Sequence, residues 1–421
     1  MRILNREKQS EATGISQGSR METEEELFEN LREQLQQIIE ESVELTDDEL
    51  AEKLDNLVLE RCRDRQFPLR KKEELRRQLF YSVQRLDILQ ELVENPGITE
   101  IMVNGCSDIF YEEDGKLHRW NKSFRSRERL EDVVQEIAGR CNRVVNEQRP
   151  IVDARLEDGS RVNIVLNPVA LNGPIITIRR FPEKAITMSD LVERKSLTRE
   201  AADFLCELVA AKYSLIVGGG TSTGKTTFLN ALSSAVPPQE RIITIEDNAE
   251  LQLQGLPNLV RLEAKNSNME GMHEITIRDL IKTSLRMRPD RIIVGEVRGA
   301  EAGDFLTCLN TGHDGSLGTA HANSIRDMIS RLEMMTLAGM TLPVGVIRRQ
   351  IAAGIDILVH LGRDALGWRY VEEIGEITGM NGEEVAIQTL YRRNVEGKLE
   401  KVGELAHAEK INEYRRLRER N

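Results

Sequence analysis

The run Gly219-Gly220-Thr221-Ser222-Thr223-Gly224-Lys225-Thr226, followed by Thr227, has the residue types and spacing to hold a polyphosphate. It fits G-x-x-x-x-G-K-[ST]. Binding an anion by backbone needs N–H groups curled toward one point, and glycines permit that curl. Lys225 is placed to reach the β- and γ-phosphates of ATP, and the Thr226 hydroxyl to bind Mg²⁺. Such a loop must open a helix, because a helix N-terminus favours negative charge. Here an apolar run at 214–217 precedes the loop and residues 228–232 continue as helix.

Two acidic stretches could work beside this loop. In Arg291-Ile292-Ile293-Val294-Gly295-Glu296 an apolar run ends in a carboxylate. This is a Walker B arrangement with glutamate in place of the common aspartate, and it puts Glu296 where it can hold a magnesium-bound water. In Ile245-Glu246-Asp247-Asn248-Ala249-Glu250 three acids follow another apolar run. Attack on a γ-phosphate needs a positioned water and a group to orient or deprotonate it, and Glu250 is the candidate. A solvated acidic turn is the plain alternative. The glycine-rich stretch from Thr311 to Ser324 contains two of the six histidines. His321 lies just past an expected strand, and strand C-termini face the ligand in a parallel sheet. It is thus a candidate γ-phosphate contact. His313 is a second candidate, with a structural role as its alternative. Arg155, Arg161, Arg179 and Arg180 cluster earlier in the chain, where arginines reaching phosphate could couple nucleotide state to domain position.

The elements that must position these residues are legible as patterns. Leu27, Leu31, Leu35 and Ile38 repeat at helical spacing, as do Leu50, Leu54 and Leu57, and Leu75, Leu79, Val83 and Leu86. Thr46 with Glu49 forms a capping-box pattern. Strands are expected at 98–103, 109–112, 116–120, 161–166 and 175–180, with a hairpin turn at Asp114-Gly115 and a helix over 128–144. Beyond a linker at Phe181-Pro182-Glu183-Lys184, strands at 214–217, 241–245, 259–262, 291–295, 316–320 and 355–360 alternate with several helical patterns. That alternation predicts a parallel sheet covered on both faces, followed by a tail hairpin over 369–377 and 384–391 and a polar C-terminal helix. The expected division is a disordered 1–20, a helical segment 21–89, a small α/β domain 90–182, a linker 183–195 and a larger domain 196–421.

Bulk properties exclude other classes. The net charge is −12 and aromatics make up 4% of the chain, which opposes a general nucleic-acid binder or a ring-stacking platform. The five cysteines are scattered, with no C-x-x-C pair, so neither a disulfide framework nor a zinc site is expected. Residues 1–20 hold no apolar core segment of a signal peptide, and no run approaches a spanning helix. A soluble, cytoplasmic protein is expected.

Taken together and in order, GGGTSTGKTT, TIEDNAEL, RPDRIIVGEVRG and TGHDGSLGTAHANS resemble the Walker A, aspartate-box, variant Walker B and histidine-box motifs of the type II/type IV secretion ATPase family. ITEIMVNG, DGSRVNIV and ITIRRF resemble that family's small domain, so the likeness covers residues 90–380. The tetracysteine zinc module of the general-secretion and many pilus-extension branches is absent, and the chain is most similar to the CpaF branch, which assembles Tad (Flp) pili. The resemblance implies an α/β fold: a RecA-like P-loop NTPase domain preceded by a small PAS-like α/β domain and a helical N-terminal segment. It implies Mg²⁺-dependent ATP hydrolysis by a homohexamer that docks on inner-membrane platform proteins and so reaches the membrane only peripherally. It implies that Glu250 is the catalytic glutamate, Glu296 the Walker B acid, and Arg161 and Arg179 phosphate contacts. The alternative reading is a nucleic-acid translocase on the same kind of core.

Overall fold

The structure, a computed structural model, describes residues 23–41, 46–63, 67–84, 86–113, 115–156, 158–180, 185–265 and 274–420. The expectations for 1–20, for Asp114 and for 181–184 lie outside the described residues. The chain divides into two compact units, Met1–Phe181 and Pro182–Asn421.

The first unit opens with helices α1 (Glu24–Glu40), α2 (Asp47–Arg61) and α3 (Leu69–Gln84). Leu27, Leu31 and Leu35 form a stripe on α1 and meet Leu50 and Leu54 of α2 and Leu79 of α3 in one buried cluster. Thr46 and Glu49 cap α2 reciprocally, with Glu49 N–H donating to Thr46 Oγ1 at 3.3 Å and Thr46 N–H to Glu49 Oε2 at 3.0 Å. Leu86 lies past the end of α3 and is buried in the next core instead. A short turn and α4 (Gln90–Glu94) lead to a six-stranded antiparallel sheet of β1 (Ile98–Asn104), β2 (Asp108–Glu113), β3 (Lys116–Arg119), β4 (Ile151–Arg155), β5 (Arg161–Val165) and β6 (Ile175–Arg179). Its order is β3-β2-β1-β6-β5-β4. Ile101, Val103, Val162, Ile164, Ile176 and Ile178 share one core with Leu130, Val134 and Ile137 of α5 (Arg127–Arg140). Helix α5 stops short of residue 144 because Asn142 takes a positive φ of 51°, which an α-helix cannot continue. Strand β4 was not expected. It is an edge strand with Ile151 exposed, so its alternation is too weak to read.

The second unit begins with α6 (Met188–Glu193) and α7 (Arg199–Ala210). Part of the stretch read as linker is therefore helical, with Met188 and Leu191 in the core. The nine-stranded sheet contains β7 (Leu215–Gly219), β8 (Ile242–Glu246), β9 (Leu259–Glu263), β10 (Arg291–Val297), β11 (Leu317–His321), β12 (Ile357–Arg363), β13 (Arg369–Asn381), β14 (Glu384–Arg393) and β15 (Leu399–Lys401). Its order is β15-β14-β13-β12-β7-β11-β10-β8-β9. Strands β12, β7, β11, β10, β8 and β9 are parallel. Alternate residues of β7 supply opposite layers: Leu215 and Val217 pack with the core of α7 and α8 (Lys225–Ser233), and Ile216 with that of α10 (Glu301–Leu309) and α11 (Ile325–Gly339). Two more helices, α9 (Ile277–Ser284) and α12 (Val344–Gly354), join the second layer, and α13 (Glu409–Arg420) ends the chain.

The six strands expected to be parallel are so, and the sheet as a whole is mixed. The tail hairpin extends it antiparallel through β13, β14 and β15. The link from β12 to β13 is a tight turn in which Asp364 Oδ1 accepts from Leu366 N–H and Trp368 N–H at 2.9 Å each. A connection that short permits only antiparallel pairing. Among the described residues no helix is long and apolar enough to cross a membrane.

Candidate active site

Strand β7 runs into the glycine-rich loop, and α8 leaves it at Lys225. Gly224, the N-cap, has φ 88° and no side-chain capping bond, so the first N–H groups of α8 are left to an anion rather than to a cap. At Gly219 a Cβ would lie 2.5 Å from Thr223 Oγ1 and 2.8 Å from Leu361 O. Only glycine fits there.

Lys225 is 8% exposed. Its Nζ donates to Gly219 O at 3.2 Å and Gly220 O at 2.9 Å and lies 3.4 Å from His321 Nδ1. His321 Nε2 is 2.6 Å from Glu296 Oε1. Glu296 Oε2 is 2.5 Å from Arg298 Nη2, and Arg298 Nη1 is 3.7 Å from Asp247 Oδ2. Strand order produces this line. His321 pairs with Gly219 across β11 and β7, and Ala320 with Val297 across β11 and β10, so the carboxyl ends of three neighbouring strands deliver their side chains to one place.

Burial lowers the His321 pKa, Lys225 and Arg298 lower it further, and Glu296 pulls it back only in part. The ring is therefore neutral at pH 7. Lys225 Nζ and Glu296 Oε1 face opposite ring nitrogens, and Oε1 is buried with no hydrogen-bond partner of good geometry among the described residues. The phosphate-loop lysine and the β10 acid thus stand on either side of one imidazole. A divalent cation here would find a hydroxyl on Thr226, in the first turn of α8, and a carboxylate on Glu296. One or two protein oxygens suit Mg²⁺, which takes its other ligands from water and phosphate.

Glu246 ends β8 and is 3% exposed. Its Oε2 accepts from Glu250 N–H at 2.7 Å and Leu251 N–H at 2.9 Å. Burial pushes its carboxyl up to about 7; the two N–H bonds and Arg261 on β9 oppose this, and Glu250 adds to it. A carboxyl raised in the folded state takes up protons that the unfolded chain releases, so its contribution is favourable at low pH and is lost as pH rises through about 7. Glu246→Gln should remove that dependence. Relative to the parent, the variant should gain about 2–3 kcal/mol between pH 5 and pH 8, read as the difference between the two proteins' denaturant midpoints at each pH.

The structure brings Gly219, Gly220, Thr221, Ser222, Thr223, Gly224, Lys225, Thr226 and Thr227 into one loop and helix start. Glu296 and His321 stand beside it, and Glu250 lies on the turn bound to Glu246. His313 is not part of this group. It precedes β11 at the opposite end of a strand about 16 Å long, where its Nδ1 lies 3.3 Å from Cys308 O. Arg161 and Arg179 belong to the first unit and pair directly across β5 and β6, with Arg155 beside Arg161 and Glu100 beside Arg179. Arg180 Nη1 donates to Asn95 O and Ile98 O, a structural task.

Three residues of the site were not singled out from sequence. Arg298 was within reach, being two positions past Glu296. Glu246 was read only as one of three acids. Arg369, whose Nε donates to Ser222 O at 3.0 Å, is 147 positions from its partner and left no local signal. Beside the loop opens a cleft of about 510 Å³, lined by Gly220, Thr221, Asn323, His360 and Arg363 among others.

The family described as "Type II/IV secretion system protein" matches residues 83–366. A Mycobacterium tuberculosis (strain ATCC 25618 / H37Rv) protein named for conjugal transfer is 35% identical over 306 residues, 71% of this chain and 86% of that protein. The type IV secretion system protein VirB11 of Brucella suis biovar 1 is 33% identical over 322 residues, 69% of this chain and 88% of its own. Among solved structures, the Legionella pneumophila ATPase DotB is similar in fold, with a TM-score of 0.50 at 20% identity over 67% of this chain and 78% of that one. With the motifs in order and matches of this extent, the chain belongs to the type II/IV secretion system protein family.

Proposed function

We propose that this chain hydrolyses ATP to ADP and phosphate and uses the energy to drive assembly of a Tad/Flp-type pilus, or protein secretion, across the cell envelope. The observation that carries the reading is the line Lys225–His321–Glu296, in which the anion loop, the histidine and the β10 acid stand side by side. In this reading the 219–227 loop binds the triphosphate, and Thr226 and Glu296 hold Mg²⁺. Glu250 orients the attacking water and His321 reports on the γ-phosphate. Arg161 and Arg179 are assigned to phosphate contact by the resemblance of the motifs that hold them. The working form is a homohexamer in the cytoplasm, docked peripherally on inner-membrane platform proteins. The CpaF branch is favoured by the motif set and the missing cysteine module.

The test is phosphate release by the purified chain. Glu250→Gln should bind a fluorescent ATP analogue as the parent does and lose about 10²–10⁴-fold in turnover. Unchanged turnover would falsify the role of Glu250. Light scattering at working concentration with nucleotide should give six copies.

The name of the Mycobacterium tuberculosis relative, conjugal transfer, favours a second reading in which the same engine moves nucleic acid. The net charge of −12 opposes it. Stimulation of hydrolysis by single- or double-stranded DNA would decide for the translocase.

A further inference from the structure

We propose that Glu246 is a positioning residue for hydrolysis: its side-chain oxygen grips the backbone of the turn that carries Glu250 and so sets where that side chain stands. The proposal rests on the reading of Glu250 as the water-orienting acid.

The turn at 247–250 belongs to no helix or strand, so no hydrogen-bond ladder holds it. Glu246 holds it instead. One oxygen takes the N–H groups of Glu250 and Leu251 together, at 2.7 and 2.9 Å. The other, Oε1, is buried with no hydrogen-bond partner among the described residues. Both bonds fall on one acceptor oxygen, which the carboxylate, its neutral acid and a glutamine amide would each present to the two amides.

The anchor is itself wedged. A Cβ on Gly295 would stand 2.8 Å from Glu246 Cγ, so the glycine before Glu296 leaves the space that this side chain fills. Gly295 is held in turn by Thr319, whose Oγ1 donates to Gly295 O at 2.6 Å. Glu246 therefore sits between the turn of Glu250 and the strand end of Glu296, and takes its own position from the sheet. A displacement of about 1 Å at a reacting geometry costs on the order of a hundredfold in rate, so this grip has a measurable consequence.

The experiment is steady-state phosphate release by the full chain. Glu246→Ala should lower kcat by about 10–100-fold with little change in KM for ATP, since the phosphate loop is untouched. Glu246→Gln, which keeps an acceptor oxygen, should recover most of the turnover. If the alanine variant fails to fold, Glu246→Asp carries the test, because its carboxylate is one methylene short of the amides and should show the same loss. In a Glu250→Gln background, removal of the Glu246 side chain should cost nothing further, since two residues acting through one water do not lose independently. Full turnover in the alanine or aspartate variant, a glutamine variant as impaired as alanine, or losses that multiply in the double variant would each overturn the proposal. Parent-like turnover in Glu250→Gln alone refutes the reading beneath it, which distinguishes the two failures.

Discussion

Lys225→Ala should lower ATP turnover by at least about a hundredfold, the loss expected when one preorganised donor is removed from a site of developing negative charge. Lys225 is 8% exposed and its ammonium is bound to two carbonyls of its own loop. Its own loop thus holds it beside the anion nest. Removing it takes a positive charge from the nest and the neighbour of His321 Nδ1 with it. Lys225→Arg should fail too, because a planar fork does not fit a slot shaped for a point charge. The measurements are phosphate release, titration with a fluorescent nucleotide, and circular dichroism to show an intact fold. Retained turnover in a folded Lys225→Ala protein would remove the basis of the proposed function.

Arg291→Met should destabilise the second unit by about 3–5 kcal/mol, a fall in melting temperature of roughly 10 °C. Arg291 is 0% exposed and the largest fully buried side chain described. Its Nε and Nη2 meet Glu240 Oε2 and Oε1 at 2.5 and 3.1 Å, and its Nη1 donates to Val209 O at 2.6 Å and Gly315 O at 3.2 Å. One guanidinium thus joins the start of β10 to the end of α7 and to the glycine-rich stretch before β11. A methionine of similar reach would fill the space but leave the Glu240 carboxylate with Lys212 Nζ at 3.7 Å, and take a donor from Gly315 O and one of two from Val209 O. Desolvation of those groups, more than the loss of the pair itself, sets the size of the effect. Lysine should not rescue it, since one ammonium cannot serve the Glu240 fork and both carbonyls. Calorimetry on the parent and both variants checks the expectation, and a shift within about 2 °C would refute it.

These two residues mark how far the chemistry could be read in advance. Lys225 declared itself by spacing alone, because its neighbours in the chain are also its neighbours in space. Arg291 was noted only as the first residue of an apolar run. Its role depends on Glu240, Val209 and Gly315, which meet only when β10 is laid between β8 and β11. Glu246 and Glu250 show the same division within six residues. One acid ends β8 and the other lies just past it, and nothing local tells which one the sheet will bury and which it will leave half exposed.

By itself the sequence determined which side chain follows each strand: the lysine after β7, the acids after β8 and within β10, the histidine at the end of β11. These are consequences of short-range periodicity and turn chemistry, which act through bonded neighbours. The tertiary structure decided which of those strand ends stand side by side. It brought His321 between Lys225 and Glu296 and left His313 at the far end of its strand. It turned the tail hairpin into an antiparallel extension of the sheet and laid Arg369 on the loop. The physical reason is that strand order and burial are set by packing between residues far apart in the chain. The charge state of a carboxyl such as Glu246 is fixed by that packing and not by the residues beside it in sequence.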